Sequence, residues 1–294
     1  MSPFHALVTG AGSPLGLAVG RRLQAEGMHS TGMMRGPITE DICNLFNELV
    51  VVDLASPTDI DTISGNFDVV IHVAALSEGS IQDVMKVTGI ASSLLVQRAI
   101  ELGVPRFVHV SSMSVYGEIA EDFVTSTTPI RHSTPYGVAK WFAESALHSR
   151  QSMISGVSVR SPAIVGAHSH RHFLAKLLQS MLQQSTEIRV SNPEFLSNNL
   201  IHEDTLATFL VNLAKQKEIP YSAFPVASRE SMPLGEIVSL MAQATRYHGS
   251  VKWVPSNSRP FSIDLESAIK HGFHPLTTEE TVGKWLDGVR DQFG

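Results

Sequence analysis

The stretch "LVTGAGSPLG", Leu7–Gly16, decides how the chain is read. It sets three glycines, Gly10, Gly12 and Gly16, between an apolar run and an amphipathic one. Phe4–Thr9 reads as a buried strand and Leu15–Glu26 as a helix. The glycines then form a strand-to-helix turn, the context in which a dinucleotide fingerprint has meaning. The spacing is irregular: G-x-G-x-x-G would place its third glycine at position 15, which is Leu15, and the glycine stands at 16. Gly10 can take the positive φ of a tight turn, and Gly12 has no Cβ to keep a pyrophosphate off the backbone. Ser13 is a favoured N-cap residue with Pro14 at the first helical position. Gly16 lets the helix pack close to the sheet. The N–H groups of such a helix start attract anions, and Ser13 is expected within reach of a phosphate. Taken alone, the stretch fits a plain βα turn equally well.

Working outward, short apolar runs alternate with amphipathic ones. Strands are expected at His29–Met34, Leu49–Val52, Asp68–Ala75, Arg106–Ser112 and Gly156–Ser161, and helices at Ser80–Leu102 and Tyr136–Arg150. Nearly continuous apolar strands separated by helices argue for an α/β fold, a Rossmann-type doubly wound parallel sheet. Residues 1–161 are expected to form this dinucleotide-binding domain, with some later segments returning to it. Residues 162–294 are expected to be mainly a smaller substrate-binding region. Helices there are expected at Arg171–Gln184, Glu203–Lys215, Pro233–Ala244 and Thr278–Asp291. Ligand belongs at the carboxyl ends of the strands.

The 294 residues carry a formal charge of −6 and no basic run, which argues against a nucleic-acid surface. No run of about 18 apolar residues exists, so no transmembrane helix is expected. The N-terminus lacks the basic start of a signal peptide. Cys43 is the single cysteine, which excludes an internal disulfide and fits a reducing, cytoplasmic setting.

Two further constellations carry chemistry. In "TPYGVAK", Tyr136 and Lys140 lie four apart and share one helix face. A neighbouring ammonium would lower the phenol from its ordinary value near 10 and make it a usable acid and base. In "VHVSSMSVYG", Ser111 and Ser112 end a strand at the ligand edge, where a hydroxyl can bond a substrate oxygen. A surface pair and a turn-capping serine are the plain alternatives.

Together with "VVDL" (51–54), "VIHVAA" (70–75), "VRSPAIVG" (159–166) and "LIHEDTLA" (200–207), these motifs occur in family order. The chain resembles an extended short-chain dehydrogenase/reductase, the group of nucleotide-sugar epimerases, dehydratases and related reductases. The resemblance implies Ser112 as the catalytic hydroxyl, Tyr136 as acid/base and Lys140 on the nicotinamide ribose. It places Gly10, Gly12, Ser13, Pro14, Leu15 and Gly16 at the phosphates, and Asp53 and Leu54 at the adenine. Ala74 and Ala75 would lie along the cofactor, and Pro162 near the nicotinamide. Substrate contacts are expected from Ser112, Met113, His202 and Arg259, the last toward a diphosphate. The resemblance allows a homodimer.

The chain departs from the family at several points. Lys86 in "KVTGI" replaces an Asn of the family's N-V-x-G-T segment and Val165 replaces a tyrosine, while Glu203 reads as part of the structural "LIHEDTLA" turn. Many dehydratases carry Asp-Glu after the hydroxyl, where Met113 and Ser114 stand here. The second strand ends in "TGMMRGP" with no acid before Glu40, so Arg35 could pair with a 2′-phosphate. NADP is therefore expected ahead of NAD. The reading is an NAD(P)-dependent oxidoreductase acting on a carbonyl or alcohol. The alternatives are a nucleotide-sugar epimerase with retained NAD and a non-catalytic NADP-sensing regulator. No metal is expected, because the alternating His168, His170 and His172 have no Cys or carboxylate cluster beside them.

Overall fold

In the computed structural model, described for residues 4–131, 134–169, 172–216, 220–256 and 259–293, seven parallel strands form one sheet. Five come early: β1 (His5–Thr9), β2 (His29–Met34), β3 (Glu48–Val51), β4 (Val69–His72) and β5 (Arg106–Ser112). Across the sheet the order is Ser222–Pro225, Ser155–Ser161, β5, β4, β1, β2, β3. From β1 the chain winds one way to β3 and then the other way from β4. The strand order therefore reverses between β1 and β4, where such sheets open a crevice at their carboxyl ends. The outermost strand, Ser222–Pro225, is drawn from the second half of the chain.

Strand burial explains the apolar runs. Every residue of β4 is buried, as are all of β5 but its last. Helix α1 (Pro14–Ala25) packs beside the helix Glu203–Lys215. Arg21, two turns into α1, stands 3.6 Å from Glu203, and Lys215 pairs with Glu26 at 2.6 Å. The first residues of the two helices, Pro14 and Glu203, both stand at the ligand edge of the sheet. The second half builds its own core around Trp285, Met181 and Met241. Within it Leu200–His202 pairs with Ala163–Val165, and Glu187–Ser191 with Ser250–Val254. No helix of the described residues is long and apolar enough to cross a membrane.

Two expected elements differ in detail. The fourth strand ends at His72 rather than Ala75, because Val73–Leu76 leaves the ladder for the groove. The expected helix Ser80–Leu102 is interrupted by a π segment at Met85–Ile90. That wider turn puts the Thr88 hydroxyl on Leu76, accepting from its N–H at 2.8 Å and donating to its C=O at 2.9 Å. It also seats Gly89 against Ala139 of the helix Pro135–His148. Such segments often occur at functional sites. Lys86 sits on this segment, exposed, and Val87 faces the groove instead.

Candidate active site

The glycine turn is held from inside. Ser13 caps α1: its Oγ accepts from the Gly16 N–H at 3.1 Å and donates to the Gly10 carbonyl at 2.8 Å. The Ser13 N–H also donates to that carbonyl, at 2.9 Å. Both donors expected for a phosphate are thus spent on shaping the turn. Gly10 has φ +69°, and a Cβ there would lie 2.9 Å from Ala74 N. At Gly16 a Cβ would lie 2.1 Å from the Gly10 oxygen. The irregular third glycine is therefore a steric requirement. Ala74 is fixed against the turn by its N–H donating to Thr9 Oγ1 at 3.2 Å.

A groove in two lobes crosses the carboxyl edge, and Gly12, Ser13, Val73 and Ala75 line both. One lobe, about 570 Å³, is lined by Gly10, Arg35, Asp53, Leu54 and Ala74. Arg35 is exposed at its mouth, and Asp53 Oδ1 accepts from the Ala55 N–H at 2.9 Å. The other, about 580 Å³, brings Ser112, Tyr136, Lys140 and Pro162 together with Pro14 and Leu15. Volumes of this size suit small ligands.

Each reactive side chain of the second lobe has a structural reason for its place. Ser112 closes β5, and its Oγ accepts from the Ser114 N–H at 3.1 Å as the chain enters the 3-10 turn Met113–Tyr116. Thr134 caps the helix Pro135–His148, its side chain accepting from the Gly137 N–H, with Pro135 in the first turn. This sets Tyr136 at the groove and Lys140 one turn deeper. The Lys140 Nζ lies 5.9 Å from the Tyr136 ring centre and donates to the Val110 carbonyl at 2.6 Å. Lys140 is 1% exposed, and burial pushes its ammonium down to about 7 against the opposing pull of Glu144. The ammonium that the sequence assigns to polarise Tyr136 is thus itself held near neutrality.

Behind these residues lies a buried polar chain that the sequence reading missed. Ser111 Oγ donates to Glu144 Oε1 at 2.5 Å. Arg160 grips the same carboxylate through Nε at 3.0 Å and Nη2 at 2.7 Å. Its Nη1 donates to the Tyr116 hydroxyl at 2.9 Å, which donates to the Thr125 carbonyl at 2.7 Å. The chain clamps β5, the Tyr136 helix and the strand Ser155–Ser161 together, and so fixes Ser112 relative to Tyr136.

Three expected substrate residues lie elsewhere. Met113 is buried in the main core, because the 3-10 turn points it inward. His202 is buried as the cap of the helix Glu203–Lys215, its Nδ1 accepting from the Asp204 N–H at 3.2 Å. Arg259 lines neither lobe, and donates to the Ala120 carbonyl at 3.3 Å. His168 and His172 do line the reactive lobe, and His172 also caps the helix Phe173–Leu182. His170 lies outside the described residues. The groove also takes in Glu203, whose signal in the sequence is an acid where the family segment has Val. Among the described residues one group of possible metal ligands exists, His5, His29 and Glu48, at the amino ends of β1, β2 and β3. It lies away from the groove and is closed by its own bonds, His29 to Glu48 at 3.2 Å and His5 to Thr31 at 2.8 Å.

Residues 6–218 match the model of the "NAD dependent epimerase/dehydratase family". The dTDP-D-glucose 4,6-dehydratase of Mus musculus is 23% identical over 245 residues, covering 77% of this chain and 68% of its own. The human dTDP-D-glucose 4,6-dehydratase is also 23% identical, over 77% of this chain and 69% of its own. The UDP-glucose 4-epimerase of Thermotoga maritima, solved with UDP-glucose, superposes with a TM-score of 0.86 at 20% identity, covering 99% of this chain and 100% of its own. The UDP-glucuronic acid 4-epimerase of Bacillus cereus, solved with NAD, gives 0.84 at 18% identity, covering 99% and 100%. At these identities the two structures speak for the fold.

Proposed function

The chain belongs to the NAD dependent epimerase/dehydratase family, and from that premise we propose that it moves hydride between a nicotinamide dinucleotide and a carbonyl or alcohol carbon, with Tyr136 as acid/base. A sugar carried on a nucleotide is the substrate class that its relatives' names support. The observation that carries the proposal is the convergence of Ser112, Tyr136 and Lys140 in one lobe that opens from the glycine turn.

The residues present fit a dinucleotide. A turn without a Cβ at Gly10 and Gly12 at a helix start suits the diphosphate, and the lobe with Asp53 and Leu54 suits the adenosine. When bound, the nicotinamide supplies or accepts the hydride. The chain's residues handle the oxygen and its proton. Tyr136 gives its phenolic proton to the developing alkoxide in reduction and takes it back in oxidation. Ser112 bonds the same oxygen and opposes its charge. Lys140 holds the ribose side and sets its amine one turn below the phenol.

Arg35 supports a preference for NADP(H), since guanidinium suits a phosphate and no acid follows the second strand before Glu40. Arg35→Ala is expected to weaken NADPH binding about tenfold, the scale of one charge-assisted contact, and to leave NADH binding nearly unchanged. Calorimetric titration checks this; equal losses for both dinucleotides would remove the assignment.

Epimerisation with retained NAD is the second reading, favoured by the epimerases among the structural relatives. Dehydration is less well supported, because Met113 is buried and Ser114 supplies no carboxyl at the positions an acid pair would need. Absorbance at 340 nm separates the readings. A reductase consumes NADPH in proportion to substrate, whereas an epimerase converts the sugar with no net change.

A further inference from the structure

The Glu203 carboxyl has no explanation in the chemistry above. The residue is 5% exposed and lines the reactive lobe together with Gly12, Ser13 and Pro14 of the phosphate turn. Its Oε2 has no hydrogen-bond partner. Its Oε1 stands 3.6 Å from Arg21 Nη2, beyond hydrogen-bond range. Gly166 makes room for it: a Cβ at 166 would lie 2.3 Å from the carboxyl carbon. A buried carboxyl that accepts no hydrogen bond at Oε2 and has only a distant guanidinium at Oε1 is costly, and the apolar residue of the family segment would avoid the cost.

We propose that Glu203 is a proton-carrying binding residue of the groove: its carboxyl stands beside the phosphate turn as the neutral acid and couples binding of a dinucleotide diphosphate to one proton. This rests on the reading of the groove as a dinucleotide site. An ionised carboxylate in a lobe shared with a diphosphate repels it at low effective dielectric. The neutral acid does not, and its O–H can donate to an acceptor in the lobe. Burial pushes the carboxyl up to about 7, with Arg21 opposing, Asp204 adding to the rise and Lys284 opposing. The charged and titratable groups around it are Arg21 from α1, Lys284 from the C-terminal helix, His202 and Asp204 from its own segment, and His168 and His172 across the lobe. Lys140 titrates in the same range, and its loss of charge also weakens anion binding as pH rises. The informative quantity is therefore the difference between wild type and a variant that changes Glu203 alone.

The test is calorimetric titration of NADH and NADPH into wild type, E203Q and E203V between pH 6 and 8.5. At pH 6 the three are expected to bind alike. At pH 8.5 both variants are expected to bind about thirtyfold more tightly than wild type, as linkage to one proton with a midpoint near 7 requires. At pH 7.5 wild type should take up more protons on binding than E203Q, read from buffers of different ionisation enthalpy. Parallel pH profiles would overturn the proposal, and so would tighter wild-type binding at high pH, which marks a carboxylate that accepts bonds from the ligand. Absence of dinucleotide binding in all three proteins would instead bring down the reading of the groove, and this inference with it.

Discussion

Tyr136→Phe is expected to lower kcat/KM by about 10²–10⁴-fold, the usual contribution of a positioned general acid/base, while leaving dinucleotide affinity close to that of the wild type. The change removes one oxygen and keeps the ring, so the helix Pro135–His148 and the Lys140–Val110 bond at 2.6 Å should persist. What is lost is the proton at the substrate oxygen. Ser112 can still bond that oxygen but cannot replace the transfer, because an aliphatic hydroxyl is a far weaker acid than a phenol. Steady-state rates with the substrate identified at 340 nm, alongside calorimetry with the dinucleotide, separate the two effects. Turnover within about threefold of wild type would be far below the cost of losing an acid/base, and would remove Tyr136 from the chemistry. Loss of binding equal to the loss of rate would make the residue a ligand contact only.

Arg160→Leu is expected to destabilise the fold by about 3–5 kcal/mol, because it strands the Glu144 carboxylate in the core. The side chains of Arg160 and Glu144 are only 7% and 4% exposed. Glu144 would keep Ser111 as a partner but lose the fork of Nε and Nη2. The Tyr116 hydroxyl would lose its donor as well. Replacing both members, E144L with R160L, is expected to cost less than the sum of the single changes, since no uncompensated charge remains. Urea unfolding measures both. A single-variant loss below about 1 kcal/mol, the range of exposed pairs, would show that the clamp carries little stability. The functional consequence follows from geometry, because the clamp joins the strand that ends in Ser112 to the helix that carries Tyr136.

The parts legible in the sequence were those whose cause is local. An apolar run followed by glycines and a Ser-Pro helix start gives β1, the turn and α1 from residues close in the chain. Thr134 and Pro135 announce the helix of Tyr136 in the same way. The paired residues Tyr136 and Lys140 needed only helical spacing. The less legible features depend on residues far apart. Glu144 and Arg160 meet across two elements, and neither carries a local mark of burial. The π segment at Met85–Ile90 carries the Thr88–Leu76 contact, twelve residues apart with no periodicity to betray it. Met113, expected at the substrate, is instead turned toward the core by the 3-10 turn that begins with it. Of the same segment, His202 caps its helix and Glu203 lines the groove.

Tyr136 can act as proposed only if the groove holds a nicotinamide dinucleotide between the glycine turn and its phenol. Calorimetric titration of NAD, NADH, NADP and NADPH into protein freed of bound nucleotide tests this most directly. One site per chain is expected for at least one of the four, with NADPH tighter than NADH. Failure of all four to bind at millimolar concentration would contradict the account at its base.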